Sequence, residues 1–402
     1  MFDSASPVSH RHYASGIGVL WSDSARTSQL CDSIVAAAQA EPLALVIIWF
    51  SAARHDANEI VTRLRSSGTP LKFCGCSTSG EITPDGLQTN GFVAITLPRH
   101  WFQCTCLVLD NISTMGMETI ANTTANLCKQ FRSTLTHPSD SGKLFALSMV
   151  DGLSYAEEAL TVAMDRGLDG IALIGGSAGD NLAFEQTWQI GQGQAYTNAC
   201  VLTLVHCRLP CILYTDNNFV PTARKLVVTE ANPDQRRVIE LNAEPAAQAY
   251  AEEVGLDQSQ LSADSFATYS LIVRFGGRYY CRSIQKVNDD GSLTFFCAID
   301  KGLVLTVARS SHMVESSRLR INEIEKSIGN VDVLLGFDCV YRKLEMQYYR
   351  DNHTISSLYK EKHFLGFNTY GEQYGSMHVN QTFTGVAIAA PNTQDTETTN
   401  NG

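Results

Sequence analysis

The sequence predicts an α/β (α+β) fold of mixed β-sheets covered by helices. Three observations carry this expectation. Unbroken apolar runs of strand length, such as ALVIIWFSA from Ala44, are expected of strands buried on both faces. Amphipathic stretches follow them, as at 58–66, where Ile60, Val61 and Leu64 share one side of a helix. The pattern of strand, helix, strand with a Gly-rich turn, and apolar strand recurs along the chain.

The first copy spans 44–97: the run from Ala44, the helix at 58–66, LKFCGCSTSGEI, a break at Pro84-Asp85-Gly86, then GFVAITL. The second spans 143–205. KLFALSMVDG is its strand, and 154–166 its helix, with Ser154 and Glu157 spaced as a capping box. GIALIGGSAGD, a hairpin at Gly191-Gln192-Gly193 and ACVLTLV complete it. The third spans 331–389, with DVLLGFDCV, a helix at 344–360, HFLGFNTYGEQYG and QTFTGVAIAA. VLTVAR and a helix at 312–328 read as the degenerate start of another unit. Residues 226–241 read as strand, turn at Asn232-Pro233-Asp234 and strand, and 244–254 as a short helix with Pro245 in its first turn.

This organisation predicts a flexible N-terminus at 1–14, two related domains at 15–215 and 216–390, and a polar, disordered tail at 391–402. The length of 402 residues accommodates two or three domains, and 44% hydrophobic residues suffice for large cores. A net charge of −11 argues against a nucleic-acid surface and against attraction to anionic lipid. The longest apolar run, 43–50, is far short of the roughly 20 residues a membrane span needs. The N-terminus lacks the apolar segment of a secretory signal, so the expected location is the cytoplasm. Twelve cysteines fall mostly in apolar strands without any C-x-x-C, the pattern of buried free thiols. Cys74/Cys76 and Cys104/Cys106 each share one strand face, and His206, Cys207 and Cys211 are partial metal-ligand candidates.

The turns themselves are the candidate sites. Gly75–Glu81, Gly175–Asp180 and Gly366–Glu372 each place small residues, glycine and an acid at a strand end. Ser77, Glu81, Ser177, Asp180 and Glu372 are therefore candidate ligand-binding residues for a small polar molecule such as an amino acid, or else they fix their own turns. Gly175-Gly176-Ser177-Ala178-Gly179 also fits the nucleophile elbow of a serine hydrolase, although Pro84 and Gly86 follow the sister turn where an elbow would need a helix. No Lys-Ser or Lys-Thr follows these glycines, so they are not P-loops.

GCSTSGE (75–81), IGGSAGDN (174–181), FVPTARKLVVTEA (219–231), ELNAEPAAQAYAEEVG (240–255), GFDCVYRKLE (336–345) and GFNTYGEQYGSMHVNQT (366–382) resemble the FIST family over roughly 15–390. The resemblance implies a FIST N-like and a FIST C-like domain in a non-enzymatic, intracellular sensor of signal transduction. The segment MHVNQTFTGVAIA is most similar to the haem-binding, nitric-oxide-sensing (NosP-type) subgroup, with Val379 standing between His378 and Asn380. That subgroup implies haem b, nitric oxide as ligand, and a partner histidine kinase or cyclic-di-nucleotide pathway. His378 is the candidate haem-iron ligand, because neutral imidazole binds iron without adding charge; a histidine hydrogen-bonded to backbone is the alternative. Arg342, Lys343, Tyr348 and Tyr349 are candidate propionate partners, or a solvated helix face. Any haem must be non-covalent, since no C-x-x-C-H occurs.

Overall fold

The computed structural model describes residues 8–135 and 142–391. Three of its sheets share one plan, in which an antiparallel strand, a parallel pair and a two-stranded hairpin lie side by side. In the first sheet, Phe92–Pro98, Leu43–Phe50 and Phe73–Ser77 are followed by the hairpin Gln189–Gly191/Gln194–Tyr196. In the second, Ala199–Cys207, Lys143–Asp151 and Ala172–Ala178 are followed by Glu372–Tyr374/Met377–Val379. In the third, Thr382–Ala389, Val331–Cys339 and Phe364–Thr369 are followed by Glu81–Thr83/Gly86–Gln88. Each unit thus lends its hairpin to the next sheet in a closed ring.

The continuous apolar runs follow from this arrangement. Every residue of Leu43–Phe50 is buried. Ile47 and Trp49 join Phe145, Leu147, Leu335 and Phe337 in a core shared by the three sheets. Val46 and Ile48 point the other way, onto Leu30 and Ile34 of Thr27–Ala40 and Ile60 and Leu64 of Ala57–Ser66. Period-two alternation puts consecutive side chains on opposite faces, and both faces are covered.

A fourth sheet, containing Phe219–Asn232, Val304–Ser310 and Leu271–Phe275, is inserted in the third unit between its edge strand Cys211–Asn217 and its helix Met313–Ile328. VLTVAR therefore belongs to the insert and the helix after it to the third unit. Of the N-terminal segment expected to be flexible at 1–14, residues 1–7 lie outside the described residues, and Ser9–His12 forms an edge strand paired with Gly18–Ser22. The tail expected to be disordered falls almost entirely outside the described residues.

Two helices depart from expectation. The second-unit helix starts at Glu157, and Ser154 donates to the Asp151 carbonyl at 2.8 Å instead of capping it. The helix expected at 344–360 is two, Val340–Tyr348 and Asn352–Glu361, because Arg350 adopts φ +61° and the Asp351 N–H turns back to the Met346 carbonyl at 2.8 Å. This break swings the second helix against the hairpin lent by the first unit.

Candidate functional site

The three Gly-rich turns meet one another at the centre of the ring. Ser79 N–H donates to the Asn368 carbonyl (3.0 Å), Gly179 N–H to that of Ser77 (3.2 Å) and Ser177 N–H to that of Gly371 (2.7 Å). Close backbone approach explains the glycines: a Cβ on Gly179 would lie 2.1 Å from Ser79 Oγ. The candidate polar side chains are consumed here. Ser77 Oγ donates to the Gly179 carbonyl at 2.8 Å, and Ser177 Oγ accepts from Gln373 Nε2 at 3.0 Å. Asp180 accepts from the N–H groups of Phe184, Glu185 and Gln186 and from the Tyr370 hydroxyl. Glu81 is held by Thr78 Oγ1 (2.5 Å) and Gly91 N–H (3.0 Å), and Glu372 by the hydroxyls of Thr369 and Thr382. Burial raises the carboxyl pKa of Glu81 and pushes that of Glu372 up to about 8. The turns lock the units together and are not open nests. Ser177 ends a strand without a following helix, and an amide holds its hydroxyl where an elbow would need an imidazole.

One turn forms the floor of a cleft. The hairpin Glu81–Thr83/Gly86–Gln88 joins the third sheet, with Ile82 opposite Gly366. Its tip rests on Asn352–Glu361: Leu87 N–H donates to Ser356 Oγ at 3.1 Å, and a Cβ on Gly86 (φ +96°) would lie 2.0 Å from that oxygen. Between hairpin and helices lies a cavity of about 490 Å³, lined by Asp23, Gln88, Thr89, Lys343, Gln347, Asn352, His353, Ser356 and Lys360 among others. Lys343 Nζ donates to the Ser79 carbonyl at 2.7 Å, and burial lowers its pKa against the opposing pull of Glu81. Gly80, at φ +136°, leaves space: Lys343 Nζ and Asn368 Oδ1 lie 2.6 and 2.9 Å from where its Cβ would stand. Asn368 Oδ1 and Gln88 Oε1 are buried without a hydrogen-bond partner. Two lysines and a histidine around unsatisfied acceptors suit a small anion that carries its own donors.

The predicted haem residues are not brought together. Arg342 is fully buried, bonded to Asp338 (2.5 Å), Asn218 Oδ1 (2.9 Å) and Ser317 Oγ (3.1 Å), so its guanidinium is committed to the core and not to a propionate. Tyr348 is exposed, against the Tyr349 ring. His378 is buried in a different place, the seam between the second unit and the insert. Its Nδ1 lies 3.3 Å from Gln373 Nε2, its Nε2 has no partner, and Gly371 leaves room for the ring. Burial lowers its pKa, opposed by Glu158 and Glu157. Those two acids clamp Arg236 of the insert at 2.5 and 2.6 Å. Arg282 Nε and Asn380 Oδ1 are also buried without partners, and Arg282 lies within electrostatic reach of His378. His363 lies apart from both, its Nδ1 2.9 Å from the Asp332 carbonyl. No group of three or more metal-ligating side chains able to hold a metal ion occurs among the described residues, so His206, Cys207 and Cys211 do not assemble one.

Interlocked repeats with an inserted sheet, bordering a polar cleft, make up an α/β architecture. Residues 44–244 match the FIST N domain and 246–375 the FIST C domain, and the chain belongs to the FIST family, whose domains are sensor domains of signal transduction. It is also similar to the uncharacterized protein MJ1623 of Methanocaldococcus jannaschii, at 23% identity over 252 residues, 54% of this chain and 48% of that protein. The chain spans about half the length of that relative. Among the described residues no helix is long and apolar enough to cross a membrane.

Proposed function

We propose that this chain is a non-enzymatic cytoplasmic sensor that takes a small polar anion, of the amino-acid or carboxylate class, in the cleft between hairpin 81–88 and helices 340–361. The carrying observation is the half-buried Lys343 and the partnerless Gln88 Oε1 lining a cavity of ligand size, with a second partnerless acceptor, Asn368 Oδ1, buried behind them beside Gly80. Lys343 and Lys360 take the anionic group, and the two amide oxygens take its N–H or O–H donors. The walls come from different units, so a bound ligand bridges them and favours the closed arrangement. A signalling partner, such as a histidine kinase or a cyclic-di-nucleotide enzyme, reads that change. The test is a thermal-shift screen with L-amino acids, dicarboxylates and inorganic phosphate, followed by calorimetry. A ligand whose binding is lost in Lys343→Met supports the reading; a panel without any stabilising compound at millimolar concentration overturns it.

A second reading, haem and nitric oxide sensing, is favoured by the partnerless Nε2 of buried His378. His378 Nε2 would supply a nitrogen to the iron, and Arg282 a cation for a propionate in place of Arg342 and Tyr348. Haem would contribute an iron centre able to bind nitric oxide. A Soret band in protein expressed with haem, lost in His378→Ala with the fold intact, supports this reading; colourless, folded protein removes it.

A further inference from the structure

We infer that Cys106 and Cys74 form a peroxide-sensitive dithiol, with Cys106 the attacking thiol and Cys74 the resolving one. This goes beyond ligand sensing and does not rest on it. Cys106 lies on Phe102–Asp110 of the second sheet, and Cys74 on Phe73–Ser77 of the first. The two thiols face each other across the shared core through one side chain. Thr203 bridges them: its hydroxyl donates to Cys106 Sγ at 3.3 Å and lies 3.7 Å from Cys74 Sγ.

Cys106 has access as well as activation. It is half-buried and lines a cavity of about 490 Å³ with Arg65, Lys72, Phe73 and Thr105. Burial opposes a thiolate there, but neighbouring Cys74, the Thr203 hydroxyl and the Lys72 ammonium outweigh it and lower the Cys106 pKa. Most other thiols differ. Cys76, Cys104 and Cys200 are buried, and desolvation raises their pKa. Cys211 is the internal competitor, polarised by Cys207 and Lys143 but without the cavity of Cys106.

The chemistry balances with a hydroperoxide as oxidant. Cys106 Sγ attacks the terminal oxygen of ROOH, the O–O bond breaks, and ROH leaves with a proton. This gives a sulfenic acid on Cys106. Cys74 sulfur then attacks Cys106 sulfur, the S–O bond breaks, and water leaves with the Cys74 proton. Two thiols lose two electrons, and the peroxide is reduced to alcohol and water. A disulfide holds its sulfurs about 2 Å apart, closer than two separate thiols pack, so it draws the two strands together. Strand Phe73–Ser77 runs straight on to Ser79, whose carbonyl holds Lys343.

The experiment is titration of the full, reduced chain with hydrogen peroxide, read by intact mass and non-reducing peptide mapping. The expected result is loss of two hydrogen atoms, a single Cys74–Cys106 cross-link, and full reversal by dithiothreitol. Cys74→Ala should stop at a dimedone-trappable sulfenic acid on Cys106. Should that variant fail to fold, Thr203→Val provides the second measure, since losing the hydroxyl donor slows oxidation of Cys106 several-fold. Oxidation first at Cys211, a wild-type sulfenic acid that never condenses with Cys74, an unchanged rate in Thr203→Val, or inert protein would each overturn the assignment.

Discussion

Adjacent residues on one helix, Arg342 and Lys343, have opposite roles, and replacing each by methionine separates them. Arg342 and its partner Asp338 are both wholly buried. Removing the guanidinium strands a carboxylate in the core and leaves Asn218 Oδ1 and Ser317 Oγ without their donor. Breaking a buried pair on one side costs about 3–5 kcal/mol. Lys343 loses a single charged hydrogen bond to the Ser79 carbonyl, in a cleft water can refill, so about 1–2 kcal/mol is expected. For a cleft ligand the order reverses. Losing the lysine contact weakens binding roughly tenfold to a hundredfold, the effect of one charge-assisted bond. Arg342→Met, measured well below its midpoint, should keep near-native affinity. Urea denaturation gives the first quantity and titration calorimetry the second. An Arg342→Met midpoint within about 1 kcal/mol of wild type, with binding lost, would refute the assignment of roles.

Other outcomes follow from the same geometry. Glu372, with its pKa pushed up to about 8 from an ordinary 4.5, keeps its proton in the folded state where the unfolded chain has released it. Its contribution to stability therefore falls as pH rises from about 4.5 to 8, and Glu372→Gln should flatten that decline in melts at pH 5 and 8.5. Gly86→Ala forces an alanine to φ +96° with its Cβ against Ser356, and should cost about 1–3 kcal/mol in melts and weaken cleft binding. Gly68→Ala is its control, since nothing lies within 4 Å there and ligand affinity should not change. Asp180→Asn should cost about 1–3 kcal/mol by urea denaturation, because both carboxylate oxygens accept backbone N–H groups and an amide nitrogen in either place cannot.

The sequence by itself determined the layers. Runs such as LALVIIWF are apolar on both faces, and only a strand covered on both sides buries them; the threefold recurrence of strand, helix and Gly-rich turn was equally legible. Periodicity reports a local environment, so it stopped at the edge of each unit. It did not show that each hairpin is lent to another sheet, or that the turns are spent on locking one another, since those contacts join residues such as Ser79 and Asn368 or Ser77 and Gly179. Helix pattern began the element at 344, so only the structure put Arg342, Lys343 and Tyr348 on one helix and showed which is buried, lines a cleft or faces solvent. The φ of Arg350 and the hairpin packed on Ser356 decided that. His378 was conspicuous for its motif, yet its neighbours Glu158, Arg236 and Arg282 come from distant segments. Long-range packing assembled both candidate sites because their charges and orphaned acceptors become a site only when separate units bury them together.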